Sequence, residues 1–182
     1  MNKFTLLKEE SLLLIIDIQE RLVPAMKYGK QVIKNTNVLI SAANEMNMPI
    51  VVTEQYPKGL GPTVPEINEL LGDALKFEKT LFTACTDEVV ESIEANGKKK
   101  IIITGMETHV CVFQTARDLI NLGYEVFIVS DAVSSRYKEN YRNGLELMRD
   151  MGAVVTNTET VLFDLMKKAG TSEFKKLSKL IK

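Results

Sequence analysis

The chain has 182 residues, 45% of them hydrophobic and 26% charged, which is the composition of an ordinary globular protein. A chain of that length suits one domain, 1–182, and buries roughly 70% of its unfolded surface without a disulfide or metal staple. Lysine and arginine total 23 against 24 acidic residues, for a net charge of −1, which argues against a surface built to bind a nucleic-acid backbone.

The first element is the run Leu12–Asp17, apolar up to its last residue, as expected of a strand covered on both faces. It is too short for the apolar core of a signal peptide and lacks a small-residue cleavage site. No stretch approaches the roughly 18 apolar residues of a membrane span, so no membrane partner is expected. Helical spacing marks Val32–Met46, and Pro49–Thr53 reads as the second strand. The proline- and glycine-rich segment Glu54–Thr63, containing YPKGLGP, reads as a loop. Val64–Leu71 is expected to be a short helix and Lys76–Lys79 a short strand. Asp87 is a plausible cap for a helix over Val89–Ala95. Lys100–Thr104 then forms the fourth strand, with Gly105 ending it, and Val110–Leu122 a helix. Val126–Val129 and Ala153–Thr156 are strands flanking a helix over Asn140–Met151, and two helices follow, around Thr160–Lys168 and Ser172–Ile181. Gly97, Gly123 and Gly152 each separate a helix from the next strand. This alternation predicts an α/β fold, a parallel sheet with helices on both faces.

In such sheets ligands bind beyond the carboxyl ends of the strands, where strand order reverses. Three residues stand out there. Asp17 closes an otherwise apolar run, and a buried carboxylate needs a cationic or hydrogen-bonding partner, unless it only caps a turn. Cys111 sits in the first turn of a helix, where the dipole and free N–H groups lower a thiol pKa. A packed small residue is its other reading, and the one given to Cys85. Lys79 gains interest because a buried Asp and a thiolate both want a nearby cation. The single histidine, His109, is two residues from Cys111 and does not face it on a helix, so it caps or lines a site. One histidine also argues against a histidine-rich metal centre. No nucleotide-binding or serine-hydrolase motif is present. The two cysteines lack CxxC spacing, which suits a reducing compartment and points to the cytoplasm.

The segments LLLIIDIQERL, FEKTLFTAC and ITGMETHVCVFQTARDL, with DAVSSR downstream, resemble the isochorismatase-like, or cysteine hydrolase, superfamily. The resemblance runs from about Leu12 to the last strand. It implies a three-layer Rossmann-like fold with a six-stranded parallel sheet ordered 3-2-1-4-5-6. It also implies a triad of Asp17, Lys79 and Cys111, and a non-proline cis peptide near Met106-Glu107. Amide N–H groups of Glu107 and Cys111 would then hold an oxyanion. Gln55-Tyr56-Pro57 stands where metal-assisted nicotinamidases of that superfamily carry Asp-x-His, so no metal or other cofactor is expected. The run TEQYPKGLGPTVPEI resembles the metal-free isochorismatase domain-containing branch. The implied activity is hydrolysis of a small amide-like or related carbonyl substrate through a Cys111 thioester. Gln19, Gln55, Tyr56, Phe82 and His109 are candidate substrate contacts. A homo-oligomer is implied as well. A non-catalytic binding protein and a redox-sensing cysteine protein are the alternatives.

Overall fold

The computed structural model describes residues 3–181. Six strands form one all-parallel sheet in the order β3-β2-β1-β4-β5-β6. They are β1 (Ser11–Ile16), β2 (Ile50–Gln55), β3 (Leu75–Lys79), β4 (Lys100–Met106), β5 (Glu125–Ser134) and β6 (Val154–Thr156). The helices are α1 (Gly29–Glu45), the single turns α2 (Pro57–Leu60) and α3 (Pro65–Asn68), α4 (Asp87–Ala95), α5 (Phe113–Asn121), α6 (Lys138–Asp150), α7 (Thr158–Met166) and α8 (Ser172–Leu177).

Two cores cover the sheet, and β1 feeds both because successive side chains of a strand point to opposite faces. Leu13 and Ile15 join the layer built by α1, α7 and α8, while Leu12, Leu14 and Ile16 join that of α4, α5 and α6. All six residues of β1 are buried, which is why its sequence reads as a continuous apolar run rather than an alternating one.

Four local expectations are corrected. Thr86, not Asp87, caps α4, its hydroxyl accepting from the Val89 N–H. Gly105 does not end β4, which runs on to Met106. The YPKGLGP segment is not wholly loop, since it forms α2 after Tyr56 turns through a left-handed φ of 38°. And β5 has ten residues, because pairing with β4 resumes past a register shift as Gly105↔Val133 and Met106↔Ser134. The polar residues beyond Val129 are satisfied in place. Ser130 Oγ donates to Thr156 O, and Asp131 Oδ1 accepts from the N–H and hydroxyl of Thr158.

The order of the sheet places the carboxyl ends of β1 and β4 side by side. Ile16 pairs with Gly105 on β4 and with Thr53 on β2. Gly105 has φ 129°, and a Cβ there would lie 2.0 Å from Ile16 O, so only glycine lets the two strand ends approach this closely. The next residue after Ile16 is Asp17, and the turn after β4 carries Cys111. No helix among the described residues is long and apolar enough to cross a membrane.

Candidate active site

Asp17 leaves β1 in a left-handed conformation, φ 54°, which aspartate tolerates better than most residues. Its N–H is held by Thr53 O and its carboxylate is fully buried. Lys79 Nζ lies 2.7 Å from Oδ2, and the Thr53 hydroxyl donates to Oδ1 at 2.7 Å. The aspartate therefore has the cationic partner that its burial demands.

Lys79 closes β3, an edge strand whose other residues are exposed or half-buried, and it alone is buried. Its ammonium also donates to Gln55 Oε1 at 2.7 Å and to the carbonyls of Leu81 and Phe82 at 3.2 Å each. Four acceptors around one ammonium fix it at the Asp17 carboxylate.

Cys111 lies in a π-helical turn, Thr108–Val112, that precedes α5. Its thiol lies close enough to Asp17 and Lys79 for both charges to act on it. Sequence separation and strand order thus converge on one buried cluster of acid, ammonium and thiol. The Cys111 carbonyl accepts from the Thr115 hydroxyl, which itself accepts from Ala84 N–H, tying the turn to the segment after β3. The peptide bond Met106-Glu107, just before the turn, is cis.

The thiol pKa moves opposite to the sequence expectation. Burial and the neighbouring Asp17 charge push Cys111 up to about 12, although Lys79 pulls the other way. The shared ammonium does not offset desolvation next to a carboxylate, and the balance favours the protonated thiol. Burial likewise raises Asp17 above the usual carboxylate value, against the lowering effect of Lys79, Thr53 and the thiol itself. Cys85 is half-buried, pushed up to about 11 by burial, and its thiol faces Thr115 O instead.

The remaining sequence candidates divide by position. Gln19 is fully buried, and its amide is committed to the main chain. Nε2 donates to Gln55 O and Gly61 O, and Oε1 accepts from Gln55 N–H. It laces the loop after β1 to the end of β2. Gln55 reaches Lys79 and donates to Thr80 O. Tyr56 lines a cleft of about 340 Å³ with Pro57, Lys58, Glu78, Lys79 and Thr80. Phe82 is exposed and lends its carbonyl to Lys79. His109 Nδ1 lies 3.0 Å from Ser135 Oγ, on the β5 side of the turn. Thr53, Thr115 and the Glu107–Arg136 ion pair were not singled out from the sequence.

Gln19→Ala removes three hydrogen bonds and orphans buried main-chain groups, so it will lower stability by about 1–3 kcal/mol. Urea unfolding reads this directly. An unchanged midpoint would return Gln19 to the list of substrate contacts.

The family model for the isochorismatase domain matches residues 11–160. Isochorismatase family protein 1A of Dictyostelium discoideum is 43% identical over 172 residues, 92% of this chain and 84% of its own length. Among solved structures, that of MAR1 ribonuclease from Caenorhabditis elegans superimposes with a TM-score of 0.93 at 36% identity, covering 97% of this chain and 92% of that one. YcaC from Pseudomonas aeruginosa, solved with hexane-2,5-diol and covalent acrylamide, gives 0.91 at 25%, covering 97% and 91%. The Escherichia coli YcaC product, described as an octameric hydrolase of unknown specificity, gives 0.87 at 27%, covering 91% and 83%. Matched from β1 to the start of α7, and similar along most of its length to a protein of that name, the chain belongs to the isochorismatase domain family.

Proposed function

We propose that this hydrolase-family chain cleaves a small amide-like or related carbonyl compound through a thioester on Cys111. The observation that carries the reading is the buried Asp17–Lys79 pair at 2.7 Å, with both charges acting on the Cys111 thiol.

Asp17 takes the thiol proton as sulfur attacks the carbonyl carbon, and Lys79 keeps the cluster's charges together. The carbonyl oxygen becomes an oxyanion held by the N–H groups of Glu107 and Cys111. On collapse the C–N bond breaks, and Asp17 returns the proton to the departing amine. Water then attacks the thioester while Asp17 takes its proton. The acid is released, and the proton goes back to sulfur. A carboxyl whose pKa is raised by burial is a better proton acceptor than a free one, and the step needs no preformed thiolate.

Burial disfavours a resting thiolate at Cys111, the form through which cysteine oxidation proceeds, so sulfur chemistry there depends on Asp17 as base. The proposed substrate is small. Tyr56, Phe82 and His109 are proposed to meet it near the strand ends. Gln19 and Gln55 are proposed as positioning residues for the loop and for Lys79. The covalent acrylamide in the Pseudomonas YcaC structure and the octameric state of the Escherichia coli protein support a reactive site and a homo-oligomer here. Two free cysteines suit the cytoplasm, the compartment proposed.

The test is adduct trapping. Incubation with a library of small amides, acid quench and peptide mass spectrometry will find an acyl group on the peptide carrying Cys111 and none on that carrying Cys85. An acyl group on neither cysteine during measurable hydrolysis would rule out the thioester.

A further inference from the structure

The turn that carries Cys111 is tied on its far side to the segment that ends β5. Three contacts make the tie: the pairing of Met106 with Ser134, His109 Nδ1 against Ser135 Oγ at 3.0 Å, and the Glu107 carboxylate on Arg136. The last is the most elaborate. Glu107 Oε2 accepts the Arg136 backbone N–H at 2.9 Å, and both carboxylate oxygens lie 3.2 Å from Arg136 Nε. The carboxylate is nearly buried, at 10% exposure, whereas the Arg136 side chain is half in solvent.

Glu107 is bonded at its main chain as well. Its carbonyl accepts from Val110 and Val112 N–H, which closes the π turn around Cys111. Its own N–H donates to no carbonyl or side chain among the described residues. Behind the turn, α6 packs so closely that a methyl on Gly144 would lie 3.0 Å from His109 Cα and from Thr108 O. A residue with its carbonyl and carboxylate both fastened, and its N–H left over, is a fixed donor.

We propose that the Glu107 side chain is a positioning residue, whose grip on Arg136 holds the Glu107 peptide N–H at the substrate's carbonyl oxygen. This rests on the thioester reading above. A preorganised donor stabilises the charge on a carbonyl oxygen only while its direction is fixed. Cutting the carboxylate away frees the peptide to rotate without removing the N–H itself.

The experiment compares two reagents on the full chain. p-Nitrophenyl acetate acetylates the thiol: an S–C bond forms, the carbonyl oxygen carries charge in the tetrahedral intermediate, and p-nitrophenolate leaves. Iodoacetamide alkylates the thiol by displacing iodide, and no charge builds on a carbonyl oxygen. Site-resolved mass spectrometry gives both rates at Cys111, with Cys85 as internal reference. Expected is a wild-type ratio of acetylation to alkylation higher at Cys111 than at Cys85. Glu107→Ala will lower the Cys111 ratio at least about tenfold, by loosening one oxyanion donor. Glu107→Gln, which keeps an acceptor for the Arg136 N–H but loses the charge that holds Arg136 Nε, will show a clear but smaller fall. An unchanged ratio in Glu107→Ala beside a high wild-type ratio would refute the positioning role and leave the oxyanion site standing. A wild-type ratio no higher at Cys111 than at Cys85 would remove the oxyanion site, and both readings with it. If Glu107→Ala does not fold, the ratio in Glu107→Gln decides, since a lost carboxylate charge alone weakens the Arg136 grip. A wild-type ratio there overturns the proposal, and a partial fall supports it.

Discussion

Asp17→Asn and Cys111→Ala will both stop turnover, yet Asp17→Asn will make the Cys111 thiol more reactive. Loss of the nucleophile leaves nothing to acylate, and loss of the general base removes a contribution of roughly 10²–10⁴ in rate. The thiol, however, is held protonated by burial first and by the Asp17 charge second, with Lys79 opposing both. Asparagine keeps the shape and deletes that charge. The Lys79 ammonium, 2.7 Å from the lost carboxylate, is then left with Gln55, two carbonyls and the thiol. Its charge favours thiolate, and the Cys111 pKa falls from about 12. Each unit of that fall multiplies the thiolate fraction by about ten and costs a thiolate only part of its nucleophilicity, so alkylation near pH 8 should rise roughly tenfold for a two-unit drop. The measurement is the pH profile of iodoacetamide alkylation at Cys111, with Cys85 titrating unchanged near its own raised value. A profile that stays put or moves upward in Asp17→Asn would mean the carboxylate does not govern the thiol. Turnover in the unaltered protein should depend on Asp17 in the opposite sense. It requires the carboxylate form, so kcat/KM will fall as pH drops through the raised Asp17 pKa.

The contrast between thiol and carboxylate shows what a sequence carries and what it does not. Asp17 was legible because one charge ends a run of apolar residues, and a run like that announces burial on both faces. Lys79 was legible only through what the other two residues require. On its own it is one more lysine on an edge strand, and nothing local says that it turns inward. A helix around Cys111 was legible, though not that a π turn, Thr108–Val112, carries the residue. Desolvation was not legible either, because it depends on which layers close over the turn. Glu107 and Arg136 are 29 residues apart and meet through a register shift between β4 and β5 that follows no local pattern. Gln19 looked like a pocket residue because it follows a strand end. Its three bonds to main-chain groups of distant segments could be assigned only once β1, β2 and the loop after α2 stood side by side.

Lys79→Met will destabilise the fold by about 3–5 kcal/mol at pH 8, since removing one partner of a buried pair leaves the other charge uncompensated. Methionine fills much of the volume, so the deficit is electrostatic rather than a cavity. Four acceptors lose the ammonium at once, and Asp17 keeps only the Thr53 hydroxyl and the thiol. The pH dependence fixes the cause. Burial already raises Asp17 above its unfolded value of 3.8, and the loss of Lys79, the largest opposing influence, raises it further. A carboxyl with a raised folded pKa prefers its protonated form in the native state. Its contribution to stability is therefore full below the unfolded pKa and is lost as pH climbs through the folded one. The deficit of Lys79→Met should be small near pH 4 and grow toward pH 8, as urea unfolding at the two pH values will read. Adding Asp17→Asn removes the lone charge, and the double variant should regain most of the loss at pH 8 because a neutral pair needs no counterion. A deficit equal at both pH values and unrelieved by Asp17→Asn would assign the loss to packing. The pair would then matter to the chemistry of Cys111 and not to the fold. If the double variant is restored, the cluster is one in which a single carboxylate demands its lysine for stability and uses the same lysine to hold the thiol's charge in balance.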